Sequence, residues 1–170
     1  MNEVRDRLMI EGLEELFLSV QERMALLEKS RLGSGLTWQE LQTLAGYFDS
    51  FSAQPDTYVC HQGERSDFIC IVCQGRVGIV KEDLQLNRKM IATIGPGQSV
   101  GEMAVIDGEP RSASVIVQSQ ALLLVLDTAQ FDRMSEVAPR LWGKFLLQLS
   151  RILSRRLRQT SGVLAEYLQS

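Results

Sequence analysis

Six short runs of β-forming residues, separated by turn residues, occupy the middle of the chain. The turns fall at Gln62-Gly63, at Gln74-Gly75 and in the cluster Gly95-Pro96-Gly97. The runs predict strands over Thr57–His61, Phe68–Cys73, Arg76–Lys81, Lys89–Ile94, Ser112–Gln118 and Ala121–Asp127. Six strands within about 70 residues predict a small antiparallel barrel or jelly roll.

Helical patterns precede this β segment. Residues 1–30 carry apolar side chains at helical spacing, from Leu8 to Leu27, with seven acids against four bases. A second short helix is predicted to begin after Thr37, whose hydroxyl can cap it in a capping-box pattern with Glu40.

The pattern beyond the strands is helical again. Asp127 or Thr128 is predicted to cap a short helix that ends near Val137. Pro139 is suited to the first turn of a second helix, which is long and runs towards Leu168.

The predicted fold class is therefore α+β, mainly β. It is a double-stranded β-helix, or jelly-roll barrel, with N-terminal helices and a long C-terminal helix. The predicted domains are a helical extension over residues 1–35, a β-barrel with flanking short helices over 36–138, and the C-terminal helix over 139–170.

The inventory of reactive side chains excludes several kinds of chemistry. One His and three Cys are too few for a multi-His metal centre, and a Ser–His–acid triad would have to use His61. Three Cys also fit a reducing compartment better than a disulfide framework. We therefore expect no enzyme activity, no catalytic residue, and no metal or cofactor.

The hydropathy pattern predicts no membrane span. The longest apolar runs, Phe68–Cys73 and Ala121–Leu126, are far shorter than the roughly 20 residues that cross a bilayer. The chain does not open on a basic-then-apolar leader. We expect a cytoplasmic protein without a membrane partner.

The segment from Gly95 to Val115 carries the most specific chemistry. A short helical turn after Gly101 would leave the amides of Glu102, Met103 and Ala104 free to attract an anion. Arg111, nine residues after Glu102, can return to that anion and fork onto phosphate oxygens. The phosphate would repel Glu102, which therefore suits a hydroxyl pair such as that of ribose. This pattern indicates a sugar-phosphate site; the alternative is a turn with a weak surface ion pair.

The sequences Gly101-Glu102-Met103-Ala104 and Pro110-Arg111-Ser112-Ala113 resemble the phosphate-binding cassette of the cyclic nucleotide-binding domain family. The resemblance extends from about Leu36 to Tyr167. It implies that Glu102 binds the ribose 2′-hydroxyl, that Arg111 pairs with the cyclic phosphate, and that Ser112 adds a phosphate contact. The ligand-binding residues that it implies in the cassette are Gly101, Glu102, Met103, Ala104, Arg111 and Ser112.

The last helix extends the resemblance. Leu153, Leu157, Leu164 and Leu168 recur at helical spacing on one apolar face, which Thr160 and Ser161 interrupt. The stretch from Arg155 to Ser161 resembles the central dimer helix of catabolite activator proteins. The resemblance implies that Thr160 and Ser161 contact the base, that cAMP is preferred over cGMP, and that the chain forms a homodimer through this helix. The alternative is that both hydroxyls bond back to their own helix.

Two further patterns have structural explanations. Cys70 and Cys73 lie three apart on a predicted strand and so point to opposite faces, which favours structural thiols over a metal site. Between Val137 and Ala165 there are six bases and no acid. This segment is either a surface for nucleic acid or an acidic partner, or a solvated face that complements the acidic first helix.

The function that these observations predict is binding of cAMP, with cGMP as the alternative ligand, by a non-enzymatic regulatory protein. Binding is expected to drive a conformational switch that acts on an effector protein of unknown identity. The alternative is a cAMP-responsive transcription regulator whose DNA-binding domain is absent or supplied by a partner. Because the chain ends at Ser170, about where a helix-turn-helix domain would begin, we expect no direct DNA binding.

Overall fold

The computed structural model describes residues 12–168, in which one short strand and two helices precede the main run of strands and two helices follow it. The strands are β1 (Leu13–Leu16), β2 (Asp49–Ala53), β3 (Tyr58–Cys60), β4 (Phe68–Glu82), β5 (Arg88–Ile94), β6 (Ser99–Val100) and β7 (Ser114–Asp127). The helices are α1 (Val20–Glu28), α2 (Trp38–Ala45), α3 (Glu102–Asp107), α4 (Thr128–Val137) and α5 (Pro139–Leu168). Among residues 12–168, no helix is both long and apolar enough to cross a bilayer.

The strands pair antiparallel around two long central strands, β4 and β7. The hydrogen-bonded order is β1-β2-β7-β4-β5, and β3 also pairs with β7 while β6 pairs with β4. The β4–β7 ladder extends from Phe68 opposite Asp127 to Val80 opposite Ser114. Every other strand is attached to this central pair directly or, for β1, through β2.

Alternation along β4 divides the buried side chains into two clusters. Phe68, Cys70 and Val72 face one cluster, and Ile69 and Ile71 face the other, as the two-residue period of a strand requires. The interior cluster contains Phe51, Ala53, Val59, Cys60, Phe68, Cys70, Val72, Val77, Val100, Val115, Val117, Ala121, Leu123 and Val125. The helix-side cluster contains Leu27, Leu32, Leu41, Leu44, Ala45, Phe48, Ile69, Ile71, Val105, Leu124, Leu126, Phe131, Met134, Leu141, Phe145, Leu149 and Ile152.

The two neighbouring cysteines follow the same alternation. Cys70 lies in the interior cluster, whereas Cys73 packs against the helix-side cluster, so the predicted divergence is confirmed. Burial raises the pKa of both thiols, that of Cys73 to about 12. Both therefore stay protonated near neutral pH and contribute to packing rather than to thiolate chemistry.

The local signals for helix starts are confirmed. The Thr37 hydroxyl accepts a hydrogen bond from the Glu40 amide at 3.3 Å, and the Glu40 carboxylate accepts one from the Thr37 amide at 2.9 Å. Asp127, rather than Thr128, caps α4 by accepting from the Gln130 amide at 2.7 Å.

Two pairs of predicted strands are each one long strand. The predicted turn at Gln74-Gly75 is a bend inside β4, where the register to β7 shifts and Gly75 has a φ of 77°. Across the ladder, Ser112–Gln118 and Ala121–Asp127 merge into β7. β-Bulges bend a strand without ending it, which is why turn-forming residues do not separate these runs.

The prediction of helix through residues 1–30 is correct for α1 and wrong for Leu13–Leu16. Those four residues form β1, which pairs with β2 from Leu13 opposite Ala53 to Leu16 opposite Ser50. Pairing with an available sheet edge overrides the local helical spacing here. The prediction for residues 1–11 lies outside the described residues. Strands β2 and β6 were not predicted.

One face of α5 fixes the long helix to the rest of the molecule. Leu141, Phe145, Leu149 and Ile152 are buried in the helix-side cluster and recur at spacings of three and four residues. Beyond Ile152 no described side chain of α5 is buried. The helix is therefore anchored in its first half and exposed in its second.

Candidate functional site

The predicted cassette forms a strand, a tight turn and one short helix. β6 ends at Val100, Gly101 follows, and α3 begins at Glu102, as the sequence predicts. Gly101 has a φ of 88° and offers no side-chain acceptor, so the first amides of α3 donate no hydrogen bond to a capping side chain. These amides lie at the position where an anion was expected.

Glycine is required at position 101 for two reasons. A φ of 88° is in the left-handed region, which side chains with a Cβ adopt at a cost. A Cβ built there would also lie 2.6 Å from the Phe68 carbonyl oxygen and would collide with Nη1 of Arg111. The residue therefore permits both the turn and the close approach of Arg111.

Arg111 lies beside the start of α3, as the sequence predicts. Its side chain is 5% exposed and donates from Nε to Ser66 Oγ at 2.6 Å, from Nη1 to the Gly101 carbonyl at 3.1 Å, and from Nη2 to the Phe68 carbonyl at 2.8 Å. The guanidinium also lies 4.5 Å from the centre of the Phe68 ring. It is thus a buried cation whose partners are all neutral.

Glu102 is the buried anion of the site, with 2% exposure. Its Oε1 accepts a hydrogen bond from Ser99 Oγ at 2.5 Å, and its Oε2 accepts one from Nη1 of Arg156 at 2.9 Å. Arg156 also donates from Nη2 to the Ser99 carbonyl. The carboxylate is thereby compensated by a charge from α5.

Arg156 belongs to the site but was not among the predicted site residues. The last helix has six bases, and their number alone does not distinguish Arg156 from the other five. Its position around the helix could have indicated its role. Arg156 follows Ile152 by four residues and Leu149 by seven, so it lies on the same side of the helix as these two apolar residues. An arginine in register with a buried apolar face needs an acidic partner, and Glu102 is that partner.

The other predicted site residues lie at different distances from this centre. Ala104 is buried in α3, Met103 is half-exposed, and Ser112 is exposed directly after Arg111. Thr160 and Ser161 are exposed on α5 and begin one helical turn after Arg156. Their contact with a base stays a prediction. No three His, Cys, Asp or Glu side chains in the described part of the chain could jointly hold a metal ion.

The comparisons with known proteins identify the family. The model of the cyclic nucleotide-binding domain matches residues 51–137, which include all of the cassette. The chain belongs to the cyclic nucleotide-binding domain family.

Curated relatives agree with this assignment. A Pycsar effector protein from Xanthomonas perforans is 32% identical over 120 residues, covering 69% of this chain and 38% of that protein. The cyclic AMP receptor protein of Thermus thermophilus is 27% identical over 130 residues, covering 76% of this chain and 58% of that protein. The chain matches less than two thirds of the length of either relative.

Solved structures confirm the predicted fold class. A cyclic nucleotide-binding domain from Methylobacillus flagellatus superposes with a TM-score of 0.83 at 24% identity, covering 92% of this chain and 89% of that one. The catabolite activator protein of Thermus thermophilus superposes with a TM-score of 0.72 at 26% identity, covering 81% of this chain and 63% of that one. The fold is the jelly roll with a C-terminal helix that the strand and helix patterns predict.

Substitution of Gly101 by alanine tests the role of the tight turn. Gly108→Ala is the matched control, since Gly108 also has a positive φ, 69°, but its Cβ would meet nothing within 4 Å. We expect Gly108→Ala to cost roughly 1–3 kcal/mol of unfolding free energy through backbone strain alone. Gly101→Ala should cost clearly more in urea denaturation, because it also displaces Arg111. Equal losses would contradict the packing described for this turn.

Proposed function

We propose that the chain is a cyclic nucleotide-binding regulatory protein whose preferred ligand is cAMP and whose last helix responds to binding. The observation that carries the proposal is the arrangement of Glu102 and Arg111. A buried anion, Glu102, directly follows Gly101, and a buried cation, Arg111, donates to the Gly101 carbonyl at the start of α3. A ribose cyclic phosphate needs a hydrogen-bond acceptor for its hydroxyl, which Glu102 can supply, and a cation for its phosphate, which Arg111 can supply.

The phosphate subsite uses Arg111 and the start of α3. A guanidinium has five N–H donors, and the three hydrogen bonds of Arg111 leave two of them for a ligand. Its present acceptors are two carbonyls and a hydroxyl, which are weaker partners than a phosphate oxygen. Because Arg111 is 5% exposed, we expect its side chain to turn outwards when the phosphate enters.

The ribose subsite uses Glu102, and this connects the ligand to α5. An ionised carboxylate has about four acceptor positions, of which Ser99 and Arg156 occupy two. A ribose hydroxyl at Glu102 would therefore share the carboxylate with Arg156 or displace it. In either case the nucleotide changes a contact that holds α5 against the cassette.

The proposed switch is this change in the contact of α5. Thr160 follows Arg156 by one turn on nearly the same side of the helix, so the base and the ribose would touch successive turns of α5. A coupling of about 1–3 kcal/mol between nucleotide and helix position suffices for regulation. The site as proposed binds a ligand and assigns no residue to catalysis.

Homodimer formation through α5 belongs to the same proposal. Leu157, Leu164 and Leu168 are exposed on the second half of α5, where none of the described side chains is buried. Together with the half-buried Leu153 they lie within about 60° of one another around the helix axis and form an apolar seam. A second copy of the chain would cover this seam.

A cAMP-responsive transcription regulator is the second candidate function. It is favoured by the similarity to the cyclic AMP receptor protein and to a CRP-like transcriptional regulator from Mycobacterium tuberculosis, 30% identical over 109 residues. In this case a DNA-binding module would act together with the domain described here. A gel-shift assay with and without cAMP distinguishes the two candidates, because only the second predicts a nucleotide-dependent shift.

Calorimetric titration tests the binding site. We expect the protein to bind cAMP, and Glu102→Gln and Arg111→Lys each to weaken binding at least tenfold. Loss of one charge-assisted hydrogen bond corresponds to roughly 1.5–3 kcal/mol, which is a factor of ten or more. cGMP should bind more weakly than cAMP.

The controls separate ligand contacts from folding. Glu109→Gln removes an exposed carboxylate from the same loop and should leave affinity unchanged. Circular dichroism should show that both site variants remain folded. Absence of cAMP binding by the wild type would refute the proposal, and unchanged affinity in both variants would refute the site.

Light scattering after size exclusion tests the dimer. The wild type is expected to elute at twice the chain mass and Leu157→Glu at the chain mass, because a charge in an apolar seam is costly to bury. Gln159→Glu introduces the same charge at a neighbouring exposed position and should remain dimeric. A monomeric wild type would contradict this part of the proposal.

A further inference from the structure

Five cationic side chains of α5 share a third face of the helix. They are neither in the buried face that packs on the helix-side cluster nor in the leucine seam. All five are exposed, and we call them the basic stripe: Arg140, Lys144, Arg151, Arg155 and Arg158.

Helical geometry aligns these residues. Arg140 and Arg158 are 18 positions apart, which is five turns of 3.6 residues, so they point in the same direction. At 100° per residue the other three deviate from this direction by about 60° or less. The stripe therefore runs straight for about 27 Å along the helix axis.

The stripe is largely uncompensated by the described part of the chain. Lys144 donates to Glu40 on α2 at 2.6 Å, so this cation of the stripe is paired within the chain. Within residues 12–168 the four arginines of the stripe take part in no ion pair, whereas Arg156, one position beyond Arg155, pairs with Glu102. Four guanidinium groups in a row thus present their donors to solvent.

The chemistry of the stripe favours carboxylates on a protein. A guanidinium group can donate two parallel hydrogen bonds to one carboxylate. A single exposed ion pair contributes little free energy, but four arginines in a row can form several such pairs with one partner. The net charge of −3 opposes every anionic partner, and it does so most for duplex nucleic acid, which carries about one negative charge per 1.7 Å of its axis. No exposed aromatic side chain lies within the stripe to stack on a base.

A membrane surface fits less well than an acidic protein. Interfacial helices combine a basic face with a broad apolar face that enters the lipid. Here the apolar faces of α5 are turned away from the stripe, and the large apolar side chain exposed within it is Leu147.

We propose that the basic stripe of α5 is a docking surface for an acidic segment of a partner protein. A length of about 27 Å matches a helix of about 18 residues or an extended segment of about eight. The same helix carries Arg156, so a partner docked on the stripe would be attached to the element that contacts Glu102. The proposal does not depend on nucleotide binding and is tested without nucleotide.

Fluorescence anisotropy in 50 mM salt tests this surface with two labelled probes, a 20-residue polyglutamate peptide and a 20-base-pair DNA duplex. Co-sedimentation in the same salt tests a third probe, vesicles containing phosphatidylserine. We expect the full chain to bind the peptide more tightly than the other two probes, and the affinity to fall as salt is raised. A triple variant should weaken peptide binding at least tenfold; it combines Arg151→Glu, Arg155→Glu and Arg158→Glu.

The matched control makes the same change of net charge elsewhere. The control variant replaces three exposed cations of β4 and β5; it combines Arg76→Glu, Lys81→Glu and Lys89→Glu. It should change peptide affinity less than twofold. The three arginines are also replaced by Gln, which preserves helix propensity in case the charge-reversed chain does not fold. No peptide binding, equal loss in both triple variants, or tighter binding of DNA or vesicles would overturn the proposal.

Discussion

The buried guanidinium of Arg111 organises the cassette. A cation with 5% exposure must be compensated, and here the compensation comes from the Gly101 carbonyl, the Phe68 carbonyl, the Ser66 hydroxyl and the face of the Phe68 ring. These groups connect the start of α3 to β4 and to the loop before it. The close approach is one of the two reasons that position 101 needs glycine, and the positive φ is the other.

The anion of the site connects the cassette to the rest of the molecule. Glu102 is one residue from Gly101, and its charge is balanced by Arg156, 54 residues later on α5. The helix that supplies this charge is anchored by its first half in the helix-side cluster and has a leucine seam and a basic stripe on its other faces. One helix therefore carries the contact to the proposed nucleotide site, the proposed dimer seam and the proposed partner surface.

The parts of the structure that depend on neighbouring residues could be predicted from the sequence. The Thr37–Glu40 capping box, the Asp127 cap and the short helix after Gly101 are each encoded within a few positions, and all three are present. Features that depend on contacts between residues far apart in the sequence could not be predicted in the same way. Leu13–Leu16 becomes a strand because the edge of β2 is available, and the runs on either side of Gly75 join because β7 pairs with both. Arg156 was missed for the same reason, since its role depends on Glu102 and not on its neighbours in sequence.

A crystal structure of the protein grown with cAMP tests whether the cassette is the nucleotide site. We expect the ribose 2′-hydroxyl to lie within hydrogen-bond distance of the Glu102 carboxylate. We also expect the cyclic phosphate to contact the Arg111 guanidinium and the first amides of α3. A nucleotide bound elsewhere, or an Arg111 that retains its three protein partners and does not reach the phosphate, would contradict this expectation.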